Sequence, residues 1–119
     1  METSRLPEPI RARMEALAAR SPIEAVREFL RDHVTDSDGL EEVREDLYLV
    51  GRVSTLGLHQ DLAAIESLLA EPPSSPGTLA RLVGWEANWV LDDPSDAGAA
   101  RFLGDLAQLL REVIDEVER

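Results

Sequence analysis

His33 and His59 are the only histidines in the chain, and cysteine is absent. They are far apart in sequence, with no HExxH pair and no Glu-x-x-His pair on two helices, so a transition-metal centre has too few ligands. The nearest approach to a metal motif runs from Val34 to Glu45. There Asp36, Asp38, Gly39 and Glu45 fall at the third, fifth, sixth and twelfth positions of a calcium loop. Val34, however, stands where the first carboxylate belongs, and charged Glu41 stands where the loop is normally apolar, so calcium binding is not expected. The serines sit at caps and loops, with no GxSxG elbow and no Ser-His-Asp set. The glycines are dispersed, with no GxGxxG or P-loop to cradle a phosphate. No catalytic residue, metal or cofactor is expected, and the chain reads as a non-enzyme. A hydrolase built on carboxylates would need a pocket of convergent carboxyl groups with perturbed pKa values.

Two groups of residues could instead do the chemistry of binding. From Asp32 to Asp46, seven carboxylates (Asp32, Asp36, Asp38, Glu41, Glu42, Glu45 and Asp46) face one Arg44, a local net charge of −6. Carboxylates at a helix start interact favourably with its free N–H groups and dipole, which accounts for Asp36, Asp38, Glu41 and Glu42. Glu45 and Asp46 lie further along, where Glu41/Glu45 and Glu42/Asp46 become like-charge i,i+4 pairs costing a few tenths of a kcal/mol each. Such self-repulsion is consistent with a plain solvated face or with a face presented to a cationic partner. The second group is Trp85 and Trp89, one helical turn apart on the reading below, flanked by Glu86 and Asn88 and followed by Asp92 and Asp93. Core packing against the last helix is the default for such a pair. The alternative is an aromatic anchor with an acidic rim. Tyr48, near the acidic run, belongs with them as a candidate whose ring is half buried and whose hydroxyl reaches the surface.

The elements that must position these residues are helices, because apolar residues recur at spacings of three and four and strand-like alternation is absent. A first helix is expected from about Pro9 to Arg20, with Ile10, Met14 and Leu17 on one face. Ser21-Pro22-Ile23-Glu24 supplies an N-cap serine, a proline at the first helical position and a carboxylate at the third, opening a second helix that runs to about His33. A polar turn, Val34 to Gly39, precedes a third helix over Leu40 to Val53, with Leu40, Val43, Leu47 and Val50 in register and Asp36 or Ser37 as its cap. Leu58, Leu62, Ile65 and Leu69 define a fourth helix, ended by Pro72-Pro73-Ser74-Ser75-Pro76-Gly77. A fifth is expected from Thr78 to Leu91, carrying Leu82, Trp85 and Trp89. Asp92-Asp93-Pro94-Ser95 then caps a last helix whose buried stripe is Phe102, Leu106, Leu109, Leu110 and Val113. The expected fold is all-α: one domain over 1–119, an antiparallel bundle or stacked hairpins of about five to six helices.

At 119 residues with 44% apolar content, the chain can fill one core but not two. Its 24 carboxylates against 12 basic residues, all of them Arg, give a net charge of −12. That field repels phosphate backbones and attracts cationic surfaces, so a basic protein partner is expected and nucleic acid is not. Residues 1–31 hold six Arg and five acids (net +1), leaving −13 for residues 32–119. No apolar stretch is long enough for a membrane span, and Met1 to Pro9 lacks the apolar core of a secretion signal, so no membrane association and a cytoplasmic location are expected. The all-Arg bias reads as a GC-rich bacterial coding sequence.

Three segments carry a resemblance: Asp46-Leu47-Tyr48-Leu49-Val50-Gly51, Leu58-His59-Gln60-Asp61-Leu62 and Trp85-Glu86-Ala87-Asn88-Trp89. Over about residues 40–115 the chain resembles small helical bacterial immunity proteins of contact-dependent growth inhibition and related polymorphic-toxin systems. The resemblance implies a cytoplasmic antidote that binds the basic C-terminal domain of a cognate toxin, often a nuclease, and covers its active site. On that reading the partner-binding residues are Asp36, Asp38, Glu41, Glu42, Glu45, Asp46, Tyr48, Trp85, Trp89, Asp92 and Asp93. The alternative is a non-enzymatic helical adaptor or homodimeric interaction protein unrelated to toxins.

Overall fold

A computed structural model describes residues 21–119; the helix expected over Pro9 to Arg20 lies outside the described residues. Helix α1 (Pro22–His33) begins as its sequence dictates. Ser21 Oγ accepts the Glu24 N–H at 3.3 Å, and Glu24 Oε1 accepts the Ser21 N–H at 3.2 Å, a reciprocal capping box with Pro22 at the first position. Ala25, Val26, Phe29 and Leu30 form its buried face. Helix α2 (Leu40–Val53) starts differently from expectation, because neither Asp36 nor Ser37 caps it. Gly39 takes the cap position with extended backbone, Ser37 Oγ donates to the Val34 carbonyl at 2.8 Å, and Glu42 reaches back to accept the Asp38 N–H at 3.1 Å. Its inward positions are Val43, Leu47 and Gly51, with Leu40 partly buried. Val50, expected inside, is exposed, and Gly51 takes the close approach to Leu58 and Val117.

Helix α3 (Leu56–Ala70) buries Leu58, Ile65 and Leu68 and ends before the paired prolines at 72 and 73. Helix α4 (Thr78–Ala80) follows Gly77, whose φ of 85° is left-handed and suits glycine. Its free N–H groups are satisfied from a distance: Asp96 accepts from Gly77 at 2.7 Å and from Ala80 at 2.9 Å. The chain then continues as a π-helix (Arg81–Glu86), correcting the expected α-helix over Thr78 to Leu91. Ala87 N–H donates to the Leu82 carbonyl and Trp89 N–H to that of Val83, at 3.0 and 3.1 Å, spans of five and six residues instead of four. Asn88, at φ 55°, then turns the chain out of the helix.

Helix α5 (Asp96–Glu118) is the axis of the fold and packs against α2, α3 and α4, while α1 lies on α3. It is capped by Ser95, whose hydroxyl accepts the Gly98 N–H at 3.3 Å. Phe102, Leu103, Leu106, Leu110, Val113 and Ile114 supply its buried stripe, with Leu109 half-buried. Pairs of His59 with Glu118 and Glu66 with Arg111 show that α3 runs antiparallel to α5. The five described helices share one continuous apolar core, and the described residues are all-α, with no strand among them. None of the described helices is long and apolar enough to cross a membrane.

Candidate functional site

The acidic run divides into carboxylates that the fold uses and carboxylates that it leaves outward. Glu42 serves the start of α2, as above, and Asp46 Oδ2 lies 2.7 Å from His33 Nδ1, tying α2 to the end of α1. Arg44, the lone cation, turns the other way and bridges Glu112 of α5 at 2.9 Å. Gln108 and Arg44 bonded to Glu112 hold its carboxyl below the usual carboxylate range. Asp36, Asp38, Glu41 and Glu45 are exposed, and among the described residues their carboxylates have no hydrogen-bond or ion-pair partner. The repulsion expected for Glu42/Asp46 is thus relieved by structural partners, whereas that of Glu41/Glu45 is not.

On a helix, Glu41, Glu45, Leu49 and Val53 follow one another at intervals of four and form a continuous stripe that winds through about 120°. The outer stripe of α2 therefore changes from two free carboxylates to two aliphatic side chains that are 62% and 90% exposed. Leu56, 66% exposed at the start of α3, extends the apolar end. Tyr48 sits beside this stripe, half-buried, in an open cleft of about 450 Å3 shared with Arg44, Glu45, Leu49 and Glu116.

Trp85 lies within the π-helix and Trp89 just beyond it. In an α-helix they would share a face with Leu82; the wider turn instead keeps Leu82 and Val83 inside and leaves Trp85 81% exposed. Trp89 is half-buried, with its ring 5.0 Å from that of Phe102. One tryptophan is therefore surface and the other packing. Asp92 is exposed without a partner among the described residues, while Asp93 belongs to the α5 cap. The Ser95 hydroxyl and N–H, and Arg101 at 2.8 Å, hold the Asp93 carboxyl below its ordinary range.

The structure thus gathers the sequence candidates into two surfaces at opposite ends of α5, one around Glu45, Tyr48 and Glu116, the other around Trp85, Asp92 and Asp105. Between Asp105 and Glu116 the helix rises about 17 Å at 1.5 Å per residue. At about 100° per residue, Arg101, Asp105, Gln108, Glu112 and Glu116 fall within an arc of roughly 80°, so both surfaces open on the same side of α5. Val90, 92% exposed, and Asp105 were missed by sequence reasoning, which had no signal for the π-turn that ends α4 early. Among the described residues no charged side chain is buried and no three His, Asp or Glu residues converge as metal ligands. What the arrangement offers chemically is acidic and apolar contact area. Compared with known proteins, the chain matches no family model, no curated protein and no solved structure, so this geometry and the sequence are what speak for its function.

Proposed function

We propose that this chain is a non-catalytic binding protein whose α2 face engages a cationic protein. The observation that carries the reading is the outer stripe of α2, where the unpartnered Glu41 and Glu45 run into exposed Leu49 and Val53. Contiguous exposed apolar side chains rimmed by charge mark interaction surfaces. The net charge of −12 raises encounter rates with basic partners and disfavours phosphate-bearing ones. In its specific form, the proposal is an immunity protein that covers the active site of a basic toxin domain, the role implied by the resemblance above. A nuclease must be cationic to hold phosphates, and an acidic face with apolar anchors is complementary to such a site.

The test co-expresses the chain with the C-terminal domain encoded by the gene immediately upstream and measures growth protection and binding by calorimetry. Protection is expected from the natural chain, with at least about tenfold weaker binding for Glu41→Arg/Glu45→Arg. Those two positions are chosen because Glu42 and Asp46 also serve the fold. Unchanged affinity in this variant, at unchanged stability, removes the α2 face from the account; absence of any growth protection removes the immunity role. The exposed Leu49, Val53 and Leu56 also favour a second reading, a homodimeric adaptor joined through the α2–α3 turn. Sedimentation of the chain alone separates the two, since the adaptor reading requires a dimer that Val53→Asp dissolves.

A further inference from the structure

The segment from Arg81 to Pro94 concentrates several departures from ordinary surface structure. It holds the π-helix, the left-handed Asn88 at φ 55°, and the exposed Trp85 and Val90. π-Turns and residues in sparsely populated backbone regions persist where the surroundings hold them and are frequent at functional sites. The middle of this segment is tied to the rest of the fold: Arg27 bonds Glu86 at 2.6 Å, and the Trp89 ring lies tilted 5.0 Å from that of Phe102. The backbone that carries the exposed Trp85 is therefore anchored beside it, at Glu86. Beside Trp85 lies an open hollow of about 540 Å3 lined by Arg81, Gly84, Trp85, Trp89, Val90 and Pro94, among others. Gly84 is exposed among its lining residues, and a Cβ there would meet nothing within 4 Å. An adjoining depression shares Trp89, Val90 and Leu91 with the hollow and reaches Asp92 and Asp105.

We propose that this hollow docks an extended segment of another protein carrying a large apolar side chain with an arginine or lysine within two residues of it. The apolar side chain enters between Trp85 and Val90, and the cation meets Asp92 and Asp105. Asp93, in the same depression, is already bonded to Ser95 and Arg101, whereas Asp92 and Asp105 have no partner among the described residues. Arg81 also lines the hollow, and Arg101 in the depression is bonded to Asp93, so the unpaired Asp92 and Asp105 outnumber one unpaired cation, and an aromatic wall with a net acidic rim suits an apolar residue next to a basic one. The same carboxylates repel anionic lipid headgroups, nucleic acid and a second copy of this chain, itself at −12. The inference stands apart from the α2 proposal, since it uses no residue of that helix.

The test titrates the 15N-labelled protein with the blocked peptide acetyl-Ser-Leu-Ser-Arg-Ser-amide and with controls in which alanine replaces its leucine or glutamate its arginine. The two indole N–H signals are assigned with Trp85→Phe and Trp89→Phe. The parent peptide is expected to move the Trp85 signal with half-saturation in the low millimolar range or tighter, and each control to bind about tenfold more weakly. Val90→Gln, at a fully exposed position, is expected to lose binding by about tenfold with an unchanged unfolding midpoint. Glu41→Arg/Glu45→Arg is expected to bind the peptide as the natural chain does, which separates failure here from failure of the α2 face. Equal binding of all three peptides, or no movement of the Trp85 signal at about 10 mM peptide, overturns the proposal. So does a Trp85 signal that responds to dilution of the protein alone, or to phosphatidylglycerol vesicles and not to peptide.

Discussion

Truncating the two tryptophans to alanine one at a time should give opposite results, although they lie four residues apart in sequence. Trp85 is 81% exposed, so Trp85→Ala removes little burial and should change stability by no more than about 0.5 kcal/mol. Trp89 is partly buried against Phe102, at a ring separation of 5.0 Å. At least about two-thirds of a tryptophan's roughly 200 Å2 at about 25 cal/mol per Å2 gives ~3 kcal/mol, and the aromatic contact adds ~0.5 to 1. Trp89→Ala should therefore cost about 4 kcal/mol and lower the thermal midpoint by on the order of 10 °C or more. Urea unfolding followed by far-ultraviolet circular dichroism measures both variants without relying on the deleted fluorophore. Independently, Trp89→Phe should leave a red-shifted emission that acrylamide quenches freely, and Trp85→Phe a bluer, shielded one. Equal destabilisation by the two truncations would refute the reasoning. It would place Trp85 in the core and mean that the helix continues at 3.6 residues per turn through Leu91.

A Cβ at Gly98 would press into the Asp93 carbonyl where the loop folds over α5, so Gly98→Ala should destabilise by about 1–3 kcal/mol in the same urea assay. Leu106, fully buried on the central helix, should cost about 2–5 kcal/mol as Leu106→Ala, read as a shifted midpoint at constant slope. The N–H groups of Ala80 and Gly77 bonded to Asp96 lower its pKa, so the unfolded chain binds the proton more readily. The Asp96 contribution to stability is therefore complete above the ordinary aspartate pKa and lost as pH falls through the lower folded value. Asp96→Asn should accordingly be less stable than the natural chain at neutral pH, with the gap closing on acidification below about pH 4; a gap independent of pH would contradict the assigned bonds.

Where local rules decide structure, the sequence was transparent. Ser21, Pro22 and Glu24 specify the start of α1 by mutual capping, and the spacing of Leu58 and Ile65 and of Phe102, Leu106 and Val113 specifies the buried faces of α3 and α5. Long-range contacts were opaque. The α2 cap falls to Gly39 with no side-chain capping bond, since the Ser37 hydroxyl is turned to the Val34 carbonyl and Glu42 accepts the N–H of Asp38, one residue before the cap. The start of α4 depends on Asp96, 16 and 19 residues away. The π-turn at Arg81–Glu86 keeps the same apolar spacing that an α-helix would show, so periodicity alone placed Trp85 and Trp89 on one face. The binding candidates were legible as residue types, but their division into used and unused carboxylates was not. That division depends on which of them meet His33, Arg101 or a backbone N–H.

On the proposed function, the free carboxylates of α2 steer a cationic protein onto the adjoining aliphatic side chains. Stopped-flow association of the chain with its proposed partner, the C-terminal toxin domain sought in the gene immediately upstream, is measured at about 0.05 and 0.5 M salt. An association rate that falls at least about tenfold with added salt is expected for the natural chain, with a comparable loss at low salt in Glu41→Arg/Glu45→Arg. A rate indifferent both to salt and to that charge reversal would contradict this steering.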